Sequence, residues 1–181
     1  KNIGALKRFA CDNCKGDAFL EMDHDDILVP GALERIAAAF EAGADFVHSD
    51  DACFNNDAKL SPHTYNPEYG WETYPIRVYG RQFIATRSFP VDARSLCEIG
   101  FAPDHIRSWR RAAYYKAGGH DKELLVADDH DLLCRTYLAG CVFKHTGHCD
   151  YLYRYHDSNS VKRYYKKIWE QQDRNRDKYL W

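Results

Sequence analysis

Three carboxylates fall within the four residues Asp23-His24-Asp25-Asp26, directly after the apolar run Ala18-Phe19-Leu20-Glu21-Met22. Carboxylates held this close repel one another unless a cation neutralises them. Oxygen donors at this spacing suit Mg²⁺ or Mn²⁺, which take one or two carboxylates and fill the remaining positions with water and phosphate oxygens. A divalent ion bridging a diphosphate is the chemistry that follows. The competing reading is an acidic loop that caps the next helix, a task Asp26 alone can perform. A second acidic group, Asp128-Asp129-His130-Asp131, opens a helical stretch, where the helix N-terminus stabilises carboxylates. One of them can cap while its neighbour takes the proton of an attacking hydroxyl. In a third group, Tyr153-Arg154-Tyr155-His156, an extended backbone puts Arg154 and His156 on one face, suited to phosphate or metal. An edge strand with no ligand is the alternative there. Cys11 and Cys14 with His145 and His148 make a four-ligand zinc set if the fold joins the two ends of the chain; as small core residues the cysteines need no metal.

These residues need elements to position them. Ile3, Leu6, Phe9 and Ala10 have helical spacing up to the break at Lys15-Gly16-Asp17, and the run from Ala18 to Met22 has strand length. Four polar residues cannot continue a buried strand, so the first acidic group sits at its exposed end. The segment from Pro30 to Ala42 predicts a helix stopped by Gly43, and Asp45-Phe46-Val47-His48 a second strand. Strand, helix, strand implies a parallel, helix-covered sheet. Residues 54–83, rich in Tyr, Asn, Pro and His, read as loops with short strands and suit a binding surface. Trp71 and Tyr74 are expected to contact an acceptor there; His63, Tyr65 and Arg81 are surface ligands or plain structural residues. Helical pattern returns from Ser108 to Ala117, ending on Gly118-Gly119, and from Asp129 to Ala139, ending on Gly140. Cys141 to His145 reads as a strand. From Val161 the apolar positions 161, 164, 165, 168 and 169 among lysines and Arg163 predict an amphipathic basic helix over 161–181. It docks on its own domain or makes a peripheral membrane contact.

The 181 residues carry 25 Lys plus Arg against 27 Asp plus Glu, a formal charge of −2, with 45% hydrophobic and 29% charged residues. That length, close to one typical domain of roughly 150 residues, and the lack of repeats or linkers predict a single domain over 1–181. Near-neutral charge argues against a nucleic-acid partner. No stretch approaches the roughly 18 apolar residues of a membrane span, and a disordered chain or a coiled coil is excluded on composition. Seven scattered Cys read as reduced thiols in a cytoplasmic protein. The chain opens on Lys1 with no apolar signal region, which predicts a cut in a longer chain or a processed end.

The order of the motifs adds to their separate readings. Asn2-x-Gly4 and Arg8, then Gly16 to Leu28 with Pro30, Leu33 and Glu34, precede Arg110-Arg111-Ala112 and Lys116-Ala117-Gly118-Gly119-His120-Asp121. Ala127-Asp128-Asp129-His130-Asp131-Leu132 follows with Arg135 and Gly140, then Tyr153-Arg154-x-His156 with Asn159-Ser160-Val161. In this order they resemble glycosyltransferase family 2 of the GT-A fold, over nearly the whole chain outside the loop-rich middle. The resemblance implies an α/β fold, a GT-A (Rossmann-like) mixed sheet flanked by helices. It would be partial at the N-terminus, where the family places the strands that hold base and ribose. It implies metal-dependent transfer of a sugar from a nucleotide diphosphate sugar, a UDP-sugar foremost, to a glycan or other hydroxyl acceptor, usually with inversion. On the matching positions Asp25 and His156 would hold Mn²⁺ or Mg²⁺. Asp23, Asp128 and Arg154 would contact the nucleotide sugar, and Asp129 would be the catalytic base. Two positions depart from the pattern: Asp128 stands where Glu is usual, and His120 where Phe is common.

Two other classes compete. A Mg²⁺-dependent phosphohydrolase of the haloacid dehalogenase type also places an Asp-x-Asp at a strand end, with Asp23 as nucleophile, but leaves the later motifs unexplained. A non-catalytic nucleotide- or glycan-binding module needs the same binding residues and no base.

Overall fold

A computed structural model describes residues 2–56 and 65–179. Helix α1 spans Ile3–Asn13 and leads into strand β1, Ala18–Glu21, with Phe19 buried in its middle. A short strand β2, Ile27–Leu28, follows the acidic turn. Helix α2, Ala32–Glu41, buries Ala32, Ile36 and Phe40, a four-residue spacing that lays one apolar stripe on the sheet. Strand β3, Phe46–Phe54, is buried at all nine positions. Strands β4, Thr73–Val78, and β5, Arg81–Thr86, form a hairpin whose turn residues Tyr79 and Gly80 both have positive φ, the backbone that two-residue hairpin turns require. Helix α3, Ala93–Glu98, starts from a reciprocal cap between Asp92 and Ser95. Strand β6, Arg107–Arg110, runs directly into helix α4, Arg111–Lys116. Helix α5, Asp128–Leu138, strand β7, Phe143–Arg154, and helix α6, Ser160–Tyr179, complete the chain.

The seven strands among the described residues form one mixed sheet with β3 at its centre. Along one edge β3 pairs with β7 in parallel from Phe46 to Phe54, with register shifts on either side of Asp50; along the other it pairs antiparallel with β6 at Phe46–His48 and with β5 at Asp51–Ala52. Strand β1 lies outside β6, β4 outside β5, and β2 outside β7. The sheet is mixed rather than parallel throughout: β1 and β3 run in the same direction, but β6 lies between them, antiparallel to both. The segment 108–117, with the composition of a helix, is strand as far as Arg110. Ser108 and Trp109 are sealed into the sheet, where Ser108 Oγ donates to the Phe19 carbonyl at 2.8 Å and Trp109 Nε1 to Thr136 Oγ1 at 3.1 Å. Tertiary pairing has overridden local helix propensity there. The strand expected at 141–145 extends instead to Arg154, past a polar stretch whose Gly147 sits at φ +79. His63 lies outside the described residues.

The main core packs Phe19, Phe46, Leu96, Trp109, Tyr114 and Leu132 between the sheet and the α4–α5 face. Helix α6 contributes Ile168, Gln172 and Asn175 to the interior, against the segment before α5. No helix among the described residues is long and apolar enough to cross a membrane. All seven cysteines are free thiols.

Helix α1 is fixed by backbone contact. The Asn2 amide donates to the carbonyls of Lys122 and Glu123 at 3.1 Å each, and the Gly4 N–H donates to the Leu124 carbonyl at 3.2 Å. A Cβ on Gly4 would come within 2.0 Å of the Asp121 carbonyl oxygen. Gly4→Ala is therefore expected to push α1 off the 121–124 segment and cost about 2 kcal/mol, the usual size of an overpacking strain. Thermal unfolding should show a melting temperature lower by roughly 5 °C; an unchanged value would show that α1 is not held by this contact.

Candidate active site

The acidic turn after β1 is anchored from β7. Asp26 is buried: its Oδ1 accepts the Arg154 backbone N–H and its Oδ2 the Tyr151 hydroxyl, each at 2.7 Å. The Tyr151 oxygen in turn accepts the Asp23 N–H at 3.1 Å. Burial pushes the Asp26 carboxyl above the usual carboxylate range. Asp26 does not cap α2, whose N-cap residue is Gly31 with no side-chain cap; it holds the turn in shape. That frees Asp25 to meet His156, Oδ2 to Nε2, at 2.8 Å, while the Asp25 carbonyl accepts Arg154 Nε at 2.7 Å. The Arg154 guanidinium lies 4.5 Å over the Phe54 ring. Burial raises the Asp25 carboxyl but the His156 bond outweighs it, so the group stays below its ordinary value and ionised at neutral pH.

Asp129 stands at the start of α5, behind Ala127 at φ +53. Its Oδ2 accepts Arg107 Nη1 at 2.6 Å, and its Oδ1 accepts the His130 N–H at 2.7 Å. Arg107 also donates from Nε to Glu21 Oε2 at 3.0 Å. Lys7 Nζ pairs with Glu21 Oε1 and lies 3.3 Å from Asp128 Oδ2. His120 Nε2 is 3.5 Å from the same two oxygens, and its Nδ1 lies 2.9 Å from the Tyr114 hydroxyl. Three acidic and three basic side chains thus form one cluster, with Arg107, His120 and Asp128 buried and Lys7, Glu21 and Asp129 half-buried. Burial opposes every charge in it, and the partners decide the outcome. Arg107 and Lys7 bring Asp129 down to about 2. Glu21 is held well below its usual range by Lys7 and Arg107, and Lys7 itself is raised by Glu21 and Asp128. Asp128 goes the other way: burial and the like charges of Asp129 and Glu21 outweigh Lys7 and raise it. His120 is lifted to about 9 by its hydrogen bonds and the Glu21 and Asp128 carboxylates, against burial.

Both groups open onto one groove of about 1120 Å³. Asp23, Asp25, Arg154 and His156 line one part of it; Lys7, Arg107, Asp128 and Asp129 another. Asp129 is the more open of its pair, with 27% of its side chain exposed against 4% for Asp128. Asp128 lies on the floor, turned toward Lys7 and His120. All six residues expected from sequence border this groove. A smaller cavity of about 330 Å³ on the β4–β5 hairpin, lined by Pro75, Ile76, Arg77 and Gln82, contains none of them.

Four groups at the site were missed by sequence reasoning: Lys7, Glu21, Arg107 and His105. Lys7 carried a signal, since Ile3, Lys7 and Cys11 share a helical stripe in which a lysine is out of place. His105 lies stacked on Tyr151 at 4.6 Å, and its Nδ1 is buried with no hydrogen-bond partner among the described residues. With Asp23 and Asp26 it brings three donor atoms within 4.8 Å of one another. Glu21, His120 and Asp128 do so as well, but there the Lys7 ammonium already supplies the positive charge. The zinc set does not assemble: Cys11 packs on the core, Cys14 is exposed, and His145 uses Nε2 on Asp50 at 2.8 Å and Nδ1 on the Gly147 N–H. Of the two residues expected to meet an acceptor, Trp71 lines the groove, stacked on Tyr65 at 4.3 Å, whereas the Tyr74 hydroxyl is spent on Asp50 outside it. Arg81 sits exposed on the hairpin.

The mixed sheet with flanking helices is a glycosyltransferase-like, GT-A-like fold. Among the solved structures that match is the glycosyltransferase TarS from Staphylococcus aureus, residues 1–349, with a TM-score of 0.56 and 16% identity. The match covers 84% of this chain and 40% of that one, so this chain spans less than half the length of its structural neighbour. No family model matches the sequence, and neither does any curated protein.

The raised His120 sets a pH dependence. Folding holds its proton up to about pH 9 against 6.5 for an ordinary histidine, so the stabilisation is complete below pH 6.5 and drains away as pH rises through 9. The parent chain should lose on the order of 2–3 kcal/mol of unfolding free energy across that window, and His120→Gln should not. Urea unfolding at both ends of the range checks this; parallel losses in the two proteins would exclude it.

Proposed function

We propose that this chain carries the metal- and acceptor-side part of a nucleotide-sugar-dependent glycosyltransferase. The observation that carries the reading is the convergence, in one groove, of the Asp25–His156 pair with an oriented, ionised Asp129. The glycosyltransferase-like fold supports it, and so does the groove's size, at the upper end of small-molecule sites. A divalent ion, Mn²⁺ or Mg²⁺, fits the donors present, a carboxylate oxygen and an imidazole nitrogen on a rigid turn. The Ser158 N–H donates to His156 Nδ1, which leaves the ring proton on Nε2 facing Asp25, and an ion held there would take that proton's place. When bound, such an ion supplies positive charge to a departing diphosphate.

The chain's own residues do the rest. Arg154, fixed by the Asp25 carbonyl, adds a second positive charge beside the diphosphate of a UDP-sugar. Asp23, exposed at the turn, is placed for the nucleotide sugar, and Asp128 bears on the donor through Lys7. Asp129 receives the acceptor proton as the acceptor oxygen bonds to the sugar carbon and the bond to diphosphate breaks, which inverts that carbon. A carboxylate held at about 2 is too weak a base to ionise a hydroxyl beforehand, whose pKa is near water's roughly 15.7. Proton transfer therefore accompanies attack, and Arg107 serves to aim Asp129 Oδ2. Both Asp129 oxygens already accept hydrogen bonds, from Arg107 Nη1 and the His130 N–H, and this favours a second reading, a nucleotide- or glycan-binding module without turnover.

A thermal-shift panel of nucleoside diphosphates with and without Mn²⁺ tests the donor side: UDP with Mn²⁺ should raise the melting temperature, and Asp25→Asn should abolish the metal-dependent part. No metal-dependent shift with any nucleotide would overturn the reading. Asp129→Asn should keep that binding and lower sugar transfer by roughly 10²–10⁴-fold, the contribution of a positioned base. Binding without turnover in the parent would select the binding module.

A further inference from the structure

Resting on the transferase reading, we infer that the α6 wall of the groove is the acceptor subsite, and that Trp169 Nε1 and Gln172 Oε1 together read one hydroxyl of a sugar ring. Both atoms are buried and have no hydrogen-bond partner among the described residues. Both residues line the groove, and Gln172 is only 3% exposed. Three residues apart on a helix, they share one face. Trp169 Nε1 can only donate and Gln172 Oε1 can only accept. A hydroxyl satisfies both at once, its oxygen taking the indole proton and its own proton going to the amide oxygen. A carboxylate or phosphate oxygen satisfies only the indole, and an ammonium only the amide. Water makes the same two bonds, and a polyol hydroxyl that displaces it brings a carbon ring as well.

The surroundings suit that ring. Trp169 meets Phe101 edge-on at 5.6 Å and Tyr165 at 6.1 Å, and Tyr165 is 58% exposed. A pyranose has a face of C–H groups and an edge of hydroxyls, which matches an aromatic wall carrying one donor and one acceptor. The wall is built in place. A Cβ on Gly100 would fall within 2.3 Å of the Trp169 ring, so residue 100 must be glycine for the indole to lie there. The Arg176 guanidinium lies 5.9 Å over the same ring.

Position assigns the wall to the acceptor rather than the donor. Phe101, Val161 and Ile168 form one apolar cluster with Val126 and Ala127, the two residues before Asp128-Asp129. Asn175 Nδ2 donates to the Ala127 carbonyl at 3.2 Å and ties α6 to the same segment. A ring seated on this wall thus lies on the Asp129 side of the groove, where the attacking hydroxyl must come.

Ligand-observed NMR with methyl glycosides of glucose, galactose, mannose and N-acetylglucosamine, in the presence of UDP and Mn²⁺, tests the inference. At least one should bind, and Trp169→Phe and Gln172→Leu should each weaken it roughly three- to tenfold, the value of one lost hydrogen bond. UDP–Mn²⁺ binding, measured alongside, should be unchanged in both variants. Monodeoxy versions of the bound glycoside probe the same bond without altering the protein. One deoxy position should lose affinity against the parent and lose nothing further against Gln172→Leu. If UDP–Mn²⁺ binds but no glycoside does, or neither substitution matters, or glycerol phosphate or a serine peptide binds in its place, the subsite is refuted while the transferase reading stands. If UDP–Mn²⁺ does not bind yet glycoside affinity still falls in both variants, the transferase reading fails and the hydroxyl-reading pair remains.

Discussion

Arg107 is the residue on which the site depends. Its guanidinium joins Glu21 at the end of β1 to Asp129 at the start of α5, with only 8% of the side chain exposed. One planar fork thereby fixes the distance between the sheet and the helix that bears Asp129. Removing one member of such a buried pair leaves an uncompensated charge, typically worth 3–5 kcal/mol. Lys7 and His120 complete the arrangement from α1 and from the loop before α5, so five stretches of chain meet in one electrostatic unit. Desolvation penalises each charge alone, and the set persists because each has an opposite neighbour within about 3.5 Å.

The acidic turn is a second unit built on another principle. Asp26 is used up by Tyr151 and the Arg154 backbone, so three adjacent carboxylates do not have to share one site. One becomes a structural tie, and Asp23 and Asp25 remain open to ligand. Burial raises the tie and hydrogen bonding lowers its neighbour. Environment, more than residue type, separates their roles.

Much of this was legible in the sequence because it was local. Polar residues after an apolar run located the acidic turn; a proline before the apolar stripe of α2 and glycines after α4 and α5 marked helix ends. The positions of Asp23, Asp25, Asp128, Asp129, Arg154 and His156 around one groove agree with the order of their motifs. What stayed hidden was non-local. Strand β6 looks helical because its pairing with β1 and β3 comes from residues about 60 to 90 positions away. Arg107 and Glu21 resemble ordinary surface charges until the sheet brings them together, and nothing in the run from Tyr164 to Gln172 announces that two of its polar atoms are buried and unpaired.

The matched charges also constrain how this protein can diverge. A single neutral replacement among the six leaves a bare charge in the interior, so drift must proceed by coupled exchanges that keep the sum and the reach. His120 and Asp128 form one such coupled pair. The His120 imidazole reaches the Asp128 carboxylate, with Nε2 3.5 Å from Oδ2. His120 still packs edge-on against Trp109 at 5.9 Å as an aromatic anchor would. The two positions thus act as one unit, and a change at either alters the setting of the other.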